Sequence, residues 1–130
     1  MANKTFDLLG LIVEDEAVTT TATSTGAGIA GLNIGSASYV AIINTSAVTG
    51  TVDGSNYYTV QLKASDLVGG TYYPVGNAKV LPATALQTQI GFTSEQLEGI
   101  ISGGAFFAVT VTKTGTTATA VTYSAFISKV

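Results

Sequence analysis

Alternation of apolar and polar residues is the dominant pattern in this chain. In residues 57–64 the even positions are apolar, and in residues 107–113 the apolar residues Phe107, Val109 and Val111 share one face while the threonines lie on the other. Because successive side chains of a strand point to opposite faces, both segments predict half-buried strands. The core residues predicted from such alternation are Tyr58, Val60, Leu62, Phe107, Val109, Val111, Val121 and Ile127.

Three further segments have strand patterns of different kinds. After a short Thr-Gly-Thr segment, the odd positions from Val121 to Ile127 are apolar, so residues 105–128 predict a closing antiparallel hairpin. Residues 39–43 are apolar at every position, which predicts a central strand covered on both faces. Residues 16–23 alternate with threonine and predict an exposed or edge strand.

The remaining pattern completes a β-rich fold. Weaker strands are predicted at 6–13, 28–34, 71–81 and 86–92. One short helix is predicted near 94–101, because Thr93 is followed three residues later by Gln96 at the spacing of a capping box. Eight or nine short strands separated by Gly, Asn and Ser turns predict an all-β antiparallel sandwich, formed by residues 1–130 as one domain.

The composition removes most catalytic chemistry. The chain has no His, Cys, Trp or Arg. His moves protons near neutral pH, Cys is the strongest nucleophile at that pH, and Arg grips phosphate and carboxylate with two hydrogen bonds. We therefore expect no enzyme, no catalytic residue, no cofactor and no bound metal.

Charge and hydropathy limit the partners. The net charge is −3 and charged residues make up 10% of the chain. A nucleic-acid partner needs a clustered basic surface, and a membrane-spanning helix needs about 20 apolar residues in a row, so neither partner is expected. The first residues also lack the charged start and apolar run of a secretion signal. The low charge instead predicts self-association into a dimer or trimer through uncharged surface.

Two short motifs each have a structural interpretation that we prefer over a binding site. Glu14, Asp15 and Glu16 carry enough oxygen for a Ca²⁺ site, but neighbouring strand residues diverge, so a solvated turn between the first two strands is predicted. Residues 53–56, Asp-Gly-Ser-Asn, lack the alternating ligands of a cation loop and predict a tight turn.

Two other patterns resemble catalytic or nucleotide-binding motifs. Residues 26–31 have the G-x-G-x-x-G spacing, but no long helix follows them, so they predict a loop. A carboxylate pair of Asp66 with Glu95 or Glu98 is the remaining hydrolase hypothesis, although these residues also suit a turn and a helix start.

Tyrosines are the candidate interface residues. Tyr57, Tyr72 and Tyr73 lie in or beside predicted strands, where tyrosines pack across sheets or interfaces. The same side chains suit stacking against sugars in a carbohydrate- or receptor-binding module of a phage tail or adhesin. Both interpretations remain open at this point.

Four segments resemble one known class of proteins. Residues 5–10, 14–16, 19–26 and 122–127 are similar to segments of the small head-decoration (cement) proteins of tailed bacteriophages. The resemblance implies a jelly-roll or other β-sandwich fold and a dimer or trimer on the outside of the phage capsid. It also implies the major capsid protein as partner, a structural role in the virion, and synthesis in the host cytoplasm.

Overall fold

A computed structural model describes residues 11–24, 27–28, 38–67, 69–93, 96–97 and 106–129. These residues contain ten strands, all paired antiparallel. Their bounds are β1 (Leu11–Val18), β2 (Ala22–Thr23), β3 (Ala27–Gly28), β4 (Ser38–Thr45), β5 (Thr49–Gly50), β6 (Tyr57–Ser65), β7 (Tyr73–Val80), β8 (Leu86–Thr93), β9 (Phe106–Thr114) and β10 (Ala118–Lys129).

The strands form two sheets with jelly-roll connectivity. The β4 sheet has the order β1-β10-β4-β8, with β5 also paired to β10, and the β6 sheet has the order β2-β9-β6-β7, with β3 also paired to β9. Since β5 continues the line of β4 and β3 continues that of β2, the ten strands reduce to eight. When these eight strands are numbered in chain order, the β4 sheet has the order 1-8-3-6 and the β6 sheet has the order 2-7-4-5. This is the two-Greek-key arrangement of a jelly roll. The predicted antiparallel sandwich is confirmed.

The core lies between the two sheets and follows the predicted alternation. Every predicted core residue is buried in one cluster that draws side chains from both sheets. Aromatic rings join the sheets at one end, where the Phe92 ring of β8 lies 5.7 Å from the Tyr39 ring and 5.7 Å from the Phe107 ring. Strand β4 is central, as predicted, because its Val40 and Ile42 are also buried on the other face.

The predicted hairpin of residues 105–128 is wrong. β9 pairs with β6 in one sheet, whereas β10 pairs with β1 and β4 in the other. The turn at 115–117 therefore crosses between the sheets. Both strands still present their apolar positions to the same core from opposite sides, which is why their sequences resemble those of paired neighbours.

The predicted acidic turn is also wrong, because Glu14, Asp15 and Glu16 lie inside β1. Val13 and Glu16 both pair with β10, and the register shifts between them, at Glu14 and Asp15. Asp15 has a φ of +47°, and its backbone N–H donates to Ser124 Oγ at 3.0 Å. A β-bulge thus accommodates the carboxylates on an exposed edge, and no turn is needed.

Several predicted elements are described only in part. β1 contains residues 11–13 of the predicted strand 6–13, whose residues 6–10 lie outside the described residues. The predicted single strand 16–23 is wrong, because β1 ends at Val18 and Ala22–Thr23 form β2 in the other sheet, so the chain crosses between the sheets at residues 19–21. Residues 29–34 of the predicted strand 28–34 and most of the glycine motif at 26–31 also lie outside the described residues.

The predicted helix at 94–101 is described only at two positions. Gln96 and Leu97 are helical, and Glu95 and Glu98 lie outside the described residues. The predicted capping box is present: the Thr93 N–H donates to Gln96 Oε1 at 2.8 Å, and the Gln96 N–H donates to Thr93 Oγ1 at 3.4 Å. No helix in the described part of the chain has the length and hydropathy required to cross a bilayer.

Candidate interaction surface

The three candidate tyrosines lie at two different ends of the sandwich. Tyr57 begins β6, whereas Tyr73 pairs with Ala64 near the end of that strand. Seven residues at about 3.3 Å each separate Tyr57 from Ala64, or about 23 Å along the strand. Tyr57 therefore cannot share one contact patch with Tyr72 and Tyr73.

An exposed apolar patch lies at the β6–β7 turn, and we name Leu67 and Tyr73 the Tyr73 patch. Leu67 is 67% exposed and Tyr73 is 50% exposed, whereas Tyr72 is half-buried. Leu67 and Tyr73 line a recess of about 190 Å³ together with Ser65 and Asp66. The turn is held by the Gly70 N–H, which donates to the Leu67 carbonyl at 3.0 Å. The patch combines apolar contact surface with a carboxylate and hydroxyls.

The opposite end of the sandwich is closed by hydrogen bonds. The predicted turn at 53–56 forms, and Asp53 Oδ1 accepts from the Ser55 N–H at 2.8 Å and from the Asn56 side-chain amide at 3.0 Å. These bonds stabilise the carboxylate and lower the pKa of Asp53. Asn56 Oδ1 in turn accepts from the N–H groups of Thr116 and Thr117. These polar groups serve the turn itself.

Among the described strands, three of the four sheet edges carry features that oppose further strand pairing. In the β4 sheet, β1 is bulged and carries exposed carboxylates. In the β6 sheet, β2 and β3 have two residues each, and β7 contains Pro74, Lys79 and an irregular register. Short strands, charges, prolines and bulges are the devices by which soluble proteins keep their edges from pairing with other chains.

The β7 irregularity is a large bulge. Residues 76–78 lie opposite the single β6 residue Gln61. The Gln61 side-chain amide donates to the Val75 carbonyl at 3.3 Å and to the Gly76 carbonyl at 3.2 Å, so it satisfies acceptors that the ladder leaves open. Gly76 has a φ of +70°, and a Cβ there would lie 2.9 Å from a methyl group of Ile90. The bulge therefore requires glycine.

Within the part of the chain that the structure describes, β8 is the sheet edge that lacks such features. Its sequence, LQTQIGFT, has no charge and no proline, and its register with β4 is continuous over all eight residues. A groove of about 580 Å³ runs beside it, lined by residues 76–79 and 86–91. Thr88 borders this groove at 5% exposure, and its Oγ1 has no hydrogen-bond partner. β8 is thus an uncharged edge with an unsatisfied hydroxyl beside an open groove.

The described residues include only part of the carboxylates named in the hydrolase hypothesis. Among the described residues, no group of three or more Asp and Glu side chains is placed to hold a metal ion. Asp66 lies in the turn after β6, and its proposed partners Glu95 and Glu98 fall outside the described residues.

Tyr123 is the described group with the largest change in acidity. It is 2% exposed in the core, and burial raises its pKa to about 12, with a smaller contribution from the negative charge of Glu16. A hydrogen bond with Ser24 acts in the opposite direction. Burial thus keeps this phenol protonated inside the sandwich.

We expect the protein to lose stability as the pH rises from about 10 to about 12. The unfolded chain releases the Tyr123 proton near pH 10, whereas the folded chain retains it to about 12. Each pH unit in this window lowers the free energy of unfolding by about 1.4 kcal/mol, for a total of about 2–3 kcal/mol. Urea unfolding at several pH values measures this loss. The Tyr123→Phe variant should show a smaller alkaline loss, and equal slopes for the two proteins would contradict the assignment.

Sequence patterns did not single out Leu67 or the β8 edge. Leu67 follows a strand and a turn signal, so its exposure depends on the turn geometry. The absence of charge in residues 86–93 is visible in the sequence, but it gains meaning only once β8 is known to be an edge.

Similarity to known proteins is limited to fold. No protein-family model and no curated protein sequence matches the chain. A chain in the structure of infectious bursal disease virus, Gx strain, is similar with a TM-score of 0.53 and 13% identity, over 90% of this chain and 30% of that chain. A chain from the Gt strain gives a TM-score of 0.49 and 14% identity, over 91% and 30%. The present chain thus spans about 30% of the viral chains that it resembles, and with the Gx strain chain it shares a fold.

Proposed function

We propose that this protein is a structural protein of a phage virion that binds the outside of the capsid and cements neighbouring capsid subunits. The observation that carries the proposal is the jelly-roll sandwich, whose fold is similar to that of a chain in a virus structure. The resemblance of four sequence segments to phage cement proteins supports the same role. On this proposal the protein is made in the host cytoplasm and has no catalytic activity.

The surface chemistry suits attachment by many weak contacts. Exposed strand positions carry mainly Thr, Gln, Asn, Gly and Ala, and charged residues make up 10% of the chain. Such a surface packs against a neutral partner without leaving charges unpaired. Repetition of the contact over a symmetric shell raises the effective concentration, so modest single contacts give strong attachment.

The Tyr73 patch is the contact surface that we propose for the major capsid protein. Leu67 and Tyr73 are large exposed apolar side chains at one end of the sandwich, and tyrosine is enriched where interfaces bury an apolar ring. Tyr57, at the other end, would contact a different neighbour.

Phage heads that carry the protein should resist heat better than heads without it. Because the protein binds the assembled shell and not the dissociated subunits, binding stabilises the shell by mass action. Heads stripped of the protein are mixed with purified protein, and DNA release on heating is measured with a fluorescent dye.

A patch variant and a matched control make this experiment specific. Leu67→Ser combined with Tyr73→Ser should weaken head binding at least about tenfold, as expected for two interface anchors. Val80→Ser, which removes an exposed apolar side chain from the other end of β7, should bind as wild type does. Heads that never retain the wild-type protein would refute the proposed function.

A carbohydrate- or receptor-binding module is the second candidate, favoured by the recess at the Tyr73 patch. An exposed tyrosine beside Asp66 and Thr71 provides a stacking face with a carboxylate and a hydroxyl for sugar hydroxyls. A glycan array separates the two functions. Glycan binding that Tyr73→Ser abolishes, with no retention on heads, would replace the cement role.

A further inference from the structure

The four edges of this sandwich differ in one respect that points to a binding surface. Acidic residues, a bulge, very short strands, or proline and lysine interrupt three of them, and β8 alone among the described edges has none of these features. A regular uncharged edge exposes a row of backbone donors and acceptors that readily pair with another strand. We propose that β8 pairs antiparallel with β8 of a second copy of this chain, with Thr88 at the two-fold axis.

This register is the one that matches the side chains of β8. A residue on the axis lies opposite its own copy, with Cα atoms about 4.5–5.5 Å apart, so two threonine hydroxyls can hydrogen-bond across it. The Thr88 Oγ1 is buried and has no partner among the described residues of the isolated chain, and it gains one in the dimer when the side chain rotates toward the edge. One residue to either side, Gln87 lies opposite Gln89 of the second copy, and their amides can bond to each other.

The next pair on the inner face is apolar. Leu86 lies opposite Ile90 of the second copy, and both side chains border the groove between β7 and β8. The added strand therefore covers the groove with apolar contacts on the same face as the core. Directly opposed side chains on one face are the unit that stabilises a sheet.

A second copy suits this edge because β8 is neutral. Pairing a strand with its own copy places identical residues near one another, so any charge in it would meet a like charge. β8 has none over eight residues, whereas β1 and β7 both carry charges. The outer face of β8 carries a row of side-chain amides, in which Gln89 donates to Gln87 and Gln87 donates to Asn44. These amides provide further neutral donors and acceptors for a second copy.

This contact concerns the isolated protein and does not depend on the proposed role on a phage head. One strand pair buries less surface than the about 1,600 Å² of a standard interface, so we expect a Kd on the order of 10 µM. Sedimentation velocity from about 1 to about 200 µM, a range chosen to span that Kd, should show a monomer converting to a dimer.

Charge placed on β8 tests the contact directly. In the double variant Gln87→Lys with Gln89→Lys, two pairs of like charges oppose each other across the axis, and the dimer Kd should rise at least about tenfold. The double variant Gln87→Glu with Gln89→Glu should behave in the same way. An equal mixture of the two variants should dimerise again, because every opposed pair then has opposite signs. Thr112→Lys, on the exposed face of β9, is the control and should dimerise as wild type does.

Single cysteines test the register, since the chain has no cysteine of its own. An equal mixture of Gln87→Cys and Gln89→Cys chains should form a disulfide-linked dimer with oxidised glutathione as the oxidant, which is itself reduced to two glutathione thiols. Each variant alone should cross-link poorly, because like positions then lie more than 7 Å apart between Cα atoms.

Three results would overturn the proposal. They are a wild-type protein that stays monomeric at about 200 µM, a dimer that the double lysine variant does not weaken, and cross-linking that is equal in the mixed and unmixed cysteine samples. If the wild-type protein is monomeric and its double lysine variant does not bind heads, β8 contacts a head protein instead of a second copy. The proposed function would then stand. A β8 dimer that never binds heads would refute only the proposed function.

Discussion

Replacing Val109 with aspartate should prevent the protein from folding. Val109 is fully buried on β9, and its backbone bonds in both directions to Ser24, with the N–H donating to Ser24 Oγ at 2.9 Å. An unpaired carboxylate at this site has no counter-charge and cannot reach water, so we expect a loss of about 3–5 kcal/mol or more. Such a loss is comparable to the whole stability of a small domain. Circular dichroism and thermal melting measure the outcome.

Thr112→Asp is the matched control on the same strand. Thr112 is exposed on the other face of β9, so the same carboxylate stays hydrated there and should change stability by no more than about 0.5 kcal/mol. A soluble Val109→Asp protein that melts at the wild-type temperature would show that the inner face of β9 is wrongly placed.

Phe107→Ala should lower the free energy of unfolding by about 3–5 kcal/mol. Phe107 is fully buried in the β6 sheet, and its ring lies 5.7 Å from the Phe92 ring of the β4 sheet. Truncation leaves a cavity where the two sheets meet, so both the lost burial and the empty volume contribute. Urea denaturation with fluorescence detection of tyrosine measures the change.

Tyr73→Ala is the comparison for this second variant. Tyr73 is half exposed at the edge of the β6 sheet, so removal of its ring should change stability by less than about 1 kcal/mol. Similar losses for the two variants would mean that Phe107 does not bridge the sheets.

Local alternation predicted the strands well. β6, β8, β9 and β10 lie within two residues of their predicted bounds, and their apolar positions face the core as expected. A strand's side chains alternate because of its own backbone geometry, so this property can be deduced from neighbouring residues alone. The capping box of Thr93 and Gln96 is local for the same reason.

Pairing between strands was not predictable in the same way. β9 and β10 are adjacent in sequence and share one core, yet they belong to different sheets. Apolar alternation reports that one face is buried and does not report which sheet lies opposite it. The prediction of a turn at the acidic residues of β1 failed for a related reason. A β-bulge and the hydrogen bond to Ser124 keep these residues within the strand.

The candidate contact surfaces depended even more on tertiary structure. Tyr72 and Tyr73 were predicted from residue type, and the fold separated Tyr57 from them by the length of β6. Leu67 became part of the patch only through the turn that exposes it.

The sequence by itself determined the β-sandwich class, the inward face of each main strand and the scarcity of catalytic side chains. These features follow from composition and from the two-residue period of a strand, which need no long-range information. Only the tertiary structure decided the jelly-roll order of the strands and made β8 a free edge beside an unsatisfied Thr88 hydroxyl. Edges and buried polar atoms are created by contacts between residues far apart in the chain, and a local pattern carries no record of such contacts.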